Sequence, residues 1–499
     1  MRQDFGRGHR MLGLPNLIIN LQRRQLAMEF DELISLVNRA GELARRFDAE
    51  YFEIRAQADL SDGLFMRNGV VEAFILDSSS GLSVRMIVNG GVGFASTNHP
   101  EKLALTVEEA YRSALSASKA VKKVRLSAEE FRVDKFTSPF VKDPLEVPLQ
   151  DKVEFLKAVD AAGSERGVAA RVLLLLASRQ FTHFINSEGA KITGDVRRVT
   201  LRTTLTLVSG ARSTQEFEQP GGSGGWEIVE KWRMEEKVAE LAENMKERLE
   251  KGSPAPRGKM DVVLGPKVTG LVAHESTGHP YEADRILGRE AAQAGESFVK
   301  PEMLGQRIGS EVVTVIDDPT IPGSYGFYMY DAEGVRARPR VLMKAGIINE
   351  FLHNRETAAE FGVRSNASAR ASRFDREPII RMANTYIAPG DMSVEELIEG
   401  ISEGVYIKRF MEWNIDDRRY NQRYVGSEAY AIRGGRLAEP VLNPILEVTT
   451  RSFYSSIDGV GKDLEFEAAF CGKGDPGQSV PVWTGGPSLR LRGVGLGGV

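Results

Sequence analysis

The sequence predicts an α+β fold in two domains: an N-terminal antiparallel sheet with flanking helices, then a mainly β domain carrying a short histidine-bearing helix. Three observations predict it. Segments of helical spacing sit beside strand segments joined by tight turns, not by crossover helices, which argues against a doubly wound sheet. A Pro-rich linker, Ser253-Pro254-Ala255-Pro256, interrupts the chain near its middle. Beyond it, most segments read as strands.

Taken in order, residues 1–27 carry five arginines against one acid around a weak apolar stretch, Leu12–Leu21, broken by Pro15, Asn16 and Asn20. That is a poor signal peptide. It reads as a disordered extension, or as a mis-set start with Met28 as the true beginning. The N-terminal domain then spans 28–252. Leu33, Leu36, Val37, Ala40, Leu43, Ala44 and Phe47 recur at helical spacing. Phe52, Ile54, Ala56 and Ala58 alternate with Glu53, Arg55 and Gln57, the pattern of a strand with one face in water. A second alternating run, Leu82 to Val88, ends at the hairpin signal Asn89-Gly90-Gly91. Helices near Val107–Lys122 and Leu149–Ala162 follow, then strands from Ala169 to Val208 turning at Ser187-Glu188-Gly189. A charged helix with an apolar stripe from Met234 to Leu249 is stopped by Gly252.

The second domain is expected over 257–485. Met260–Leu264 reads as a strand, and Gly265-Pro266 opens a helix, proline being favoured in a first turn. Ser393 and Glu396 form a capping box. Residues 486–499, rich in Gly and Arg, read as a flexible tail.

Composition limits the function. A net charge of −4 gives no basic face for nucleic acid, so no nucleic-acid partner is expected. No apolar run reaches the roughly 18 residues of a membrane helix, so no membrane role is expected. One cysteine, Cys471, in 499 residues fits a reducing compartment and a cytoplasmic location.

The chemistry concentrates in two places. His274-Glu275-Ser276-Thr277-Gly278-His279 holds two of only six histidines, with a glutamate beside the first. Zinc peptidases commonly space such histidines four apart, on one helical face. Here the spacing is five, a rotation of about 140° on a regular helix against about 40° for four. The helix must therefore be distorted or end between the rings, and Gly278 offers backbone freedom for either. The second place is Cys471, followed by Gly472, Gly474 and Gly477, which read as a tight loop. Two histidines and a cysteine with an open position make a catalytic zinc set.

With these motifs the chain resembles the TldD/PmbA family of metallopeptidases, and within it the TldD branch, from about Phe30 to Val482. The resemblance rests on His274-Glu275 with His279, followed by Glu282 and Asp284, and on the Cys471-Gly472-Lys473 loop running into Gly477-Gln478-Ser479-Val480-Pro481. Gly81-Leu82-Ser83-Val84-Arg85, Tyr330-Asp331-Ala332-Glu333-Gly334 and Arg381-Met382-Ala383-Asn384-Thr385-Tyr386 support it. The chain departs from the family in its N-terminal extension and in carrying Asp475-Pro476 within the loop.

The resemblance implies one zinc per chain, held by His274, His279 and Cys471. It also implies a homodimer, or a heterodimer with a TldE/PmbA-like relative, enclosing a chamber that admits unfolded or extended peptides. Glu275 is the expected general base. Glu282 and Asp284 are candidates to orient the histidine rings. Arg381, Asn384 and Tyr386 are candidates for peptide binding or for structural hydrogen bonds. Three rival readings remain: a non-catalytic partner subunit, a structural zinc site, and a hydrolase with Cys471 as nucleophile.

Overall fold

A computed structural model describes residues 30–120, 122–289 and 295–498. The expectation for residues 1–27 lies outside this range. The fold is α+β, as the turn-linked strands predict, with open sheets.

The N-terminal unit is built on very long strands. Tyr51–Arg67, Val70–Val88, Ala170–Asn186 and Lys191–Ser209 form antiparallel ladders, extended by Gly91–Thr97 at one side and by Arg212–Glu218 and Gly221–Ser223 along the last long strand. Asn89 and Gly90 both adopt left-handed backbone (φ 47° and 71°), the geometry a tight two-residue hairpin requires. One face of the sheet is apolar along its whole length. Ile54, Val84 and Met86 pack beneath the helices at 30–44 and Leu103–Ala117. Further along, Leu64, Met66, Leu173 and Leu201 pack beneath Leu149–Ser164 and Met234–Lys251.

The other face corrects the sequence reading. Glu53, Arg55 and Gln57 alternate with the apolar residues as a water-facing edge would, yet all three are buried. They lie against the C-terminal unit. Arg55 Nη2 donates to the carbonyls of Arg373, Phe374 and Arg376 at 3.0, 3.3 and 2.8 Å. Arg85 Nη2 bridges Glu53 (2.9 Å) and Glu333 (2.7 Å). The strand is polar on this side because the face is a domain contact, and contacts between domains are more polar than cores.

In the C-terminal unit two sheets share one core. The larger is mixed, and its centre is Leu489–Gly498, paired with Gly258–Leu264, Pro444–Thr449 and Ile457–Val460. The expected flexible tail is therefore a central strand over most of its length. Its apolar residues Leu489, Leu491, Val494 and Leu496 are buried, and the glycines and arginines between them hid that alternation. Ser253–Pro254, read as a linker, pairs with Val441–Leu442 and ties the junction down. The smaller sheet ends in the hairpin Glu465–Lys473 and Gln478–Gly486. The helix Pro266–Ala273 lies across this hairpin. A Cβ on its Gly270 would stand 2.8 Å from the Gly485 backbone, so a side chain there would push the helix away.

A second ionic contact joins the units beside this helix. Glu216 and Glu218, on Arg212–Glu218, face Arg409 (3.1 and 2.7 Å) and Lys267, with Arg248 completing the cluster. Burial opposes ionisation of Glu218, but Lys267 and Arg409 outweigh it and hold its carboxyl well below the usual range. Removing one partner of a buried pair costs about 3 kcal/mol or more. Arg409→Ala is therefore expected to lower the unfolding free energy by roughly that amount in urea titration. A change of only about 0.5 kcal/mol, typical of surface substitutions, would show that the cluster does not hold the units together.

Candidate metal centre

The spacing of the two histidines is resolved by the backbone. Pro266–Ala273 is a regular α-helix, and at His274–Gly278 it widens into a single π turn. The amide of His279 donates to the carbonyl of His274, five residues back. That bond brings position 279 over position 274, which an α-helix could not do. The rings sit 5.0 Å apart at 81°.

Neighbouring side chains lock the turn. Ser276 Oγ donates to Gln422 (2.8 Å) and Thr277 Oγ1 to the Tyr454 hydroxyl (2.7 Å). Gly278 has ordinary helical backbone (φ −54°), so its role is not the conformational freedom expected of it. A Cβ there would stand 1.9 Å from the Met382 sulfur; glycine is needed for close approach.

The third donor comes from 192 residues further along. Cys471 lies within the strand Glu465–Lys473, not in the loop the glycines suggested; the turn begins at Gly474. Its Sγ is 3.3 Å from His274 Nε2 and 3.3 Å from His279 Nε2. The three donor atoms lie within 4.8 Å of one another, and all three residues are buried. Two atoms sharing one tetrahedral zinc, at the usual Zn–S and Zn–N lengths, would be about 3.6 Å apart. The donor set fits such an ion with little adjustment. Among the described residues these three form the only such cluster, and no fourth histidine, cysteine or carboxylate joins it, unlike a closed four-ligand structural site.

The electrostatics favour metal-ready forms. Burial depresses both imidazoles, toward the unprotonated form that can bind a metal. Burial pushes the Cys471 thiol up, but His279 and Arg381 outweigh it and bring it down to about 7. Glu282 accepts from His279 Nδ1 at 3.0 Å, fixing the tautomer that points Nε2 at the site. Burial works against the Glu282 carboxylate, yet Lys473, His279 and Arg285 hold it far below its ordinary pKa.

The other predicted residues are placed differently. Asp284 does not orient a histidine; it accepts from Lys473 Nζ at 2.8 Å, tying the turn after the helix to the cysteine strand. Arg381 is fully buried and grips both strands of the hairpin, donating to the carbonyls of Gln478 (2.7 Å) and Cys471. It positions Cys471 and does not face peptide. Asn384 accepts from Gly326 N and donates to Asp318 O and Ser324 Oγ, holding a loop. Tyr386 packs edge-on against Phe466. None of these last three lines the cleft over the donor atoms.

That cleft, about 510 Å³, is lined by His274, Glu275, His279 and Cys471, and by Phe217 and Arg202 from the N-terminal sheet. Trp413 and Phe470 stand half-exposed on its wall. Glu275 projects into it and is met by a residue the sequence reading missed. Arg419 Nη1 donates to Glu275 Oε2 at 2.5 Å. Arg419 sits on the turn between Phe410–Ile415 and Asn421–Gly426, with a left-handed backbone (φ 62°). Arg418 precedes it, and nothing in the sequence distinguishes the two.

Two imidazoles and a thiol beside a glutamate in an open cleft make the kind of donor set that catalytic zinc centres use. Family models agree with this chemistry. The PmbA/TldA metallopeptidase domain 1 matches residues 52–114, the central domain 142–251 and the C-terminal domain 257–498; the chain belongs to this family. It is 36% identical over 449 residues to a metalloprotease of Methanothermobacter thermautotrophicus, covering 90% of this chain and 96% of that one. It is 30% identical over 317 residues to a zinc metalloprotease TldD homolog of Saccharolobus solfataricus, covering 63% and 68%. The fold matches that of TldE from Thermococcus kodakarensis, with a TM-score of 0.70 at 18% identity over 93% of this chain and 99% of that one. Among the described residues no helix is long and apolar enough to cross a membrane.

A thiol titrating near 7 must lose its proton to bind metal below that pH. Zinc affinity, measured by competition with a chromophoric chelator, is expected to fall by about tenfold per pH unit below pH 7. A flat profile between pH 7 and 5.5 would show that Cys471 is not a ligand.

Proposed function

We propose that the protein is a zinc-dependent peptidase that hydrolyses unfolded or extended peptides in the cleft over His274, His279 and Cys471. The observation that carries this reading is the convergence of the three donors beside Glu275 in an open cleft. In line with the family, the working form is a dimer, either of two copies or with a TldE/PmbA-like relative, whose chamber restricts entry to unfolded chains.

Zinc, when bound, supplies Lewis acidity toward the scissile carbonyl and acidifies water into the neutral range. The remaining work falls to side chains. Glu275 is the general base: Arg419 occupies Oε2, leaving Oε1 to take a proton from water and return it to the leaving amine. Arg419 keeps that carboxylate aimed. Glu282 and Arg381 hold His279 and Cys471 in place from behind. Trp413 and Phe470 offer apolar surface to substrate side chains.

One geometric fact favours a second reading. Cys471, His279 and Glu282 are also in line as a nucleophile, base and orienting acid. His274 at the same distance from the sulfur has no purpose in such a triad, which is why the metal reading is preferred. Glu275→Gln is expected to keep about one zinc per chain and lose at least ~10³-fold in kcat, and Cys471→Ser to lose zinc and activity together. Full activity after exhaustive chelation, abolished by thiol alkylation, would establish the cysteine mechanism instead.

Arg419→Ala tests the missed residue. The expected result is a fall in kcat of about 10²-fold, the cost of a misplaced group, with zinc content unchanged and part of the activity regained in Arg419→Lys. Unaltered kcat would remove Arg419 from the account.

A further inference from the structure

A second cavity, of about 100 Å³, lies between the polar face of the N-terminal sheet and the C-terminal unit. It is one hairpin away from the metal centre: Val480, on its lining, is the cross-strand partner of Cys471. Its walls combine two chemistries. One is aromatic, with Phe136, Phe184 and Phe327. The other is cationic, with Arg55, Arg198 and Arg370.

These three arginines are more than nine-tenths buried, and among the described residues none has a carboxylate within 4.0 Å. Each uses part of its guanidinium on main-chain carbonyls. Arg198 donates from Nε to Tyr325 (2.9 Å) and from Nη2 to Phe327 (3.1 Å); Arg370 donates from Nη1 to Met382 (2.7 Å) and stacks over Tyr328. Arg198 Nη1 and Arg370 Nη2 have no hydrogen-bond partner among the described residues.

The acids nearby do not neutralise this charge. Asp331 lines the cavity, but its oxygens accept the amides of Glu333, Val335 and Ala369, and burial and Glu333 push its carboxyl up. Asp59 is shared by Gln57 and Gln180, and burial raises it to about 6. Burial lowers Arg370 to about 9 and Arg55 and Arg198 to about 10, which still leaves all three protonated at neutral pH. Glu53, Asp59, Asp375 and Asp317 act on these cations only from beyond ion-pair distance, so none of the three guanidiniums has a carboxylate partner among the described residues. Buried charge is tolerated when paired and hydrogen-bonded, and planar guanidiniums match carboxylate oxygens in a fork.

We propose that this cavity binds a small organic carboxylate with an apolar body, its oxygens on Arg198 and Arg370 and its body against the phenylalanines. At roughly 30 Å³ per water the space equals about three waters, which suits a short-chain acid of about five non-hydrogen atoms and excludes a nucleotide. The proposal goes beyond the peptidase reading and does not depend on it.

The test is calorimetric titration of the zinc-loaded full chain with propionate, its uncharged amide, and inorganic phosphate at matched ionic strength. Saturable binding of the acid is expected, with the amide and phosphate at least tenfold weaker. Arg370→Gln should weaken the acid at least tenfold. Ala371→Phe, which fills the cavity from a half-buried lining position while keeping all three arginines, should do the same if Arg370→Gln does not fold. Glu275→Gln, in the other cleft, should leave binding unchanged. Absence of binding, equal binding of acid and amide, equal binding of phosphate, or binding that survives the cavity substitutions would each overturn the proposal. So would binding lost on removal of zinc, which would place the carboxylate at the metal.

Discussion

Two histidines five residues apart face one site here because the hydrogen bond between their backbones also spans five residues. Everything around the centre follows from holding that widened turn. A π turn is a local excess of backbone that a helix sheds unless its side chains are tied. Ser276, Thr277 and Gly278 meet this need with two hydrogen bonds and one close approach to Met382. The helix carrying the turn is set against the cysteine hairpin by glycine-to-glycine approach at Gly270 and Gly485. Arg381 then grips both strands of the hairpin, and Lys473, on the hairpin itself, ties it to Asp284 after the helix. The donors thus rest on rigid, buried elements, while the position they leave open faces the cleft.

The two units meet through charge as much as through apolar packing. On one side Arg409 and Lys267 face Glu216 and Glu218; on another, Arg85 is held between Glu53 and Glu333. Such contacts fix relative orientation, because each has one geometry that satisfies it and a misfit leaves a buried charge exposed to no partner. The metal cleft gains a wall from this orientation, since Phe217 and Arg202 reach it from the N-terminal sheet.

Local signals in the sequence were faithful where a short stretch determines its own structure. The Asn89-Gly90 turn, the Pro266 helix start and the Ser393–Glu396 capping box all form as their residue types require. The need for a distorted helix at His274–His279 was legible from spacing alone. What escaped were features set by partners distant in the chain. The alternation in Tyr51–Arg67 could not say that its polar face is covered. The glycines of Leu489–Gly498 resembled a loose tail because its neighbours, some 50 and 230 residues earlier, are invisible to composition. Glycines near Cys471 suggested a loop, whereas the strand ends two residues later. Arg419 lies in an ordinary polar turn, and only the fold brings it to Glu275.

The central claim is that His274, His279 and Cys471 hold one zinc ion with an open position. X-ray absorption at the zinc edge of the metal-loaded full chain tests it directly. The expected spectrum has one sulfur at about 2.3 Å, two imidazole nitrogens at about 2.0 Å and one further light atom not supplied by a histidine or cysteine. A spectrum without sulfur, or one requiring a third imidazole, would contradict it.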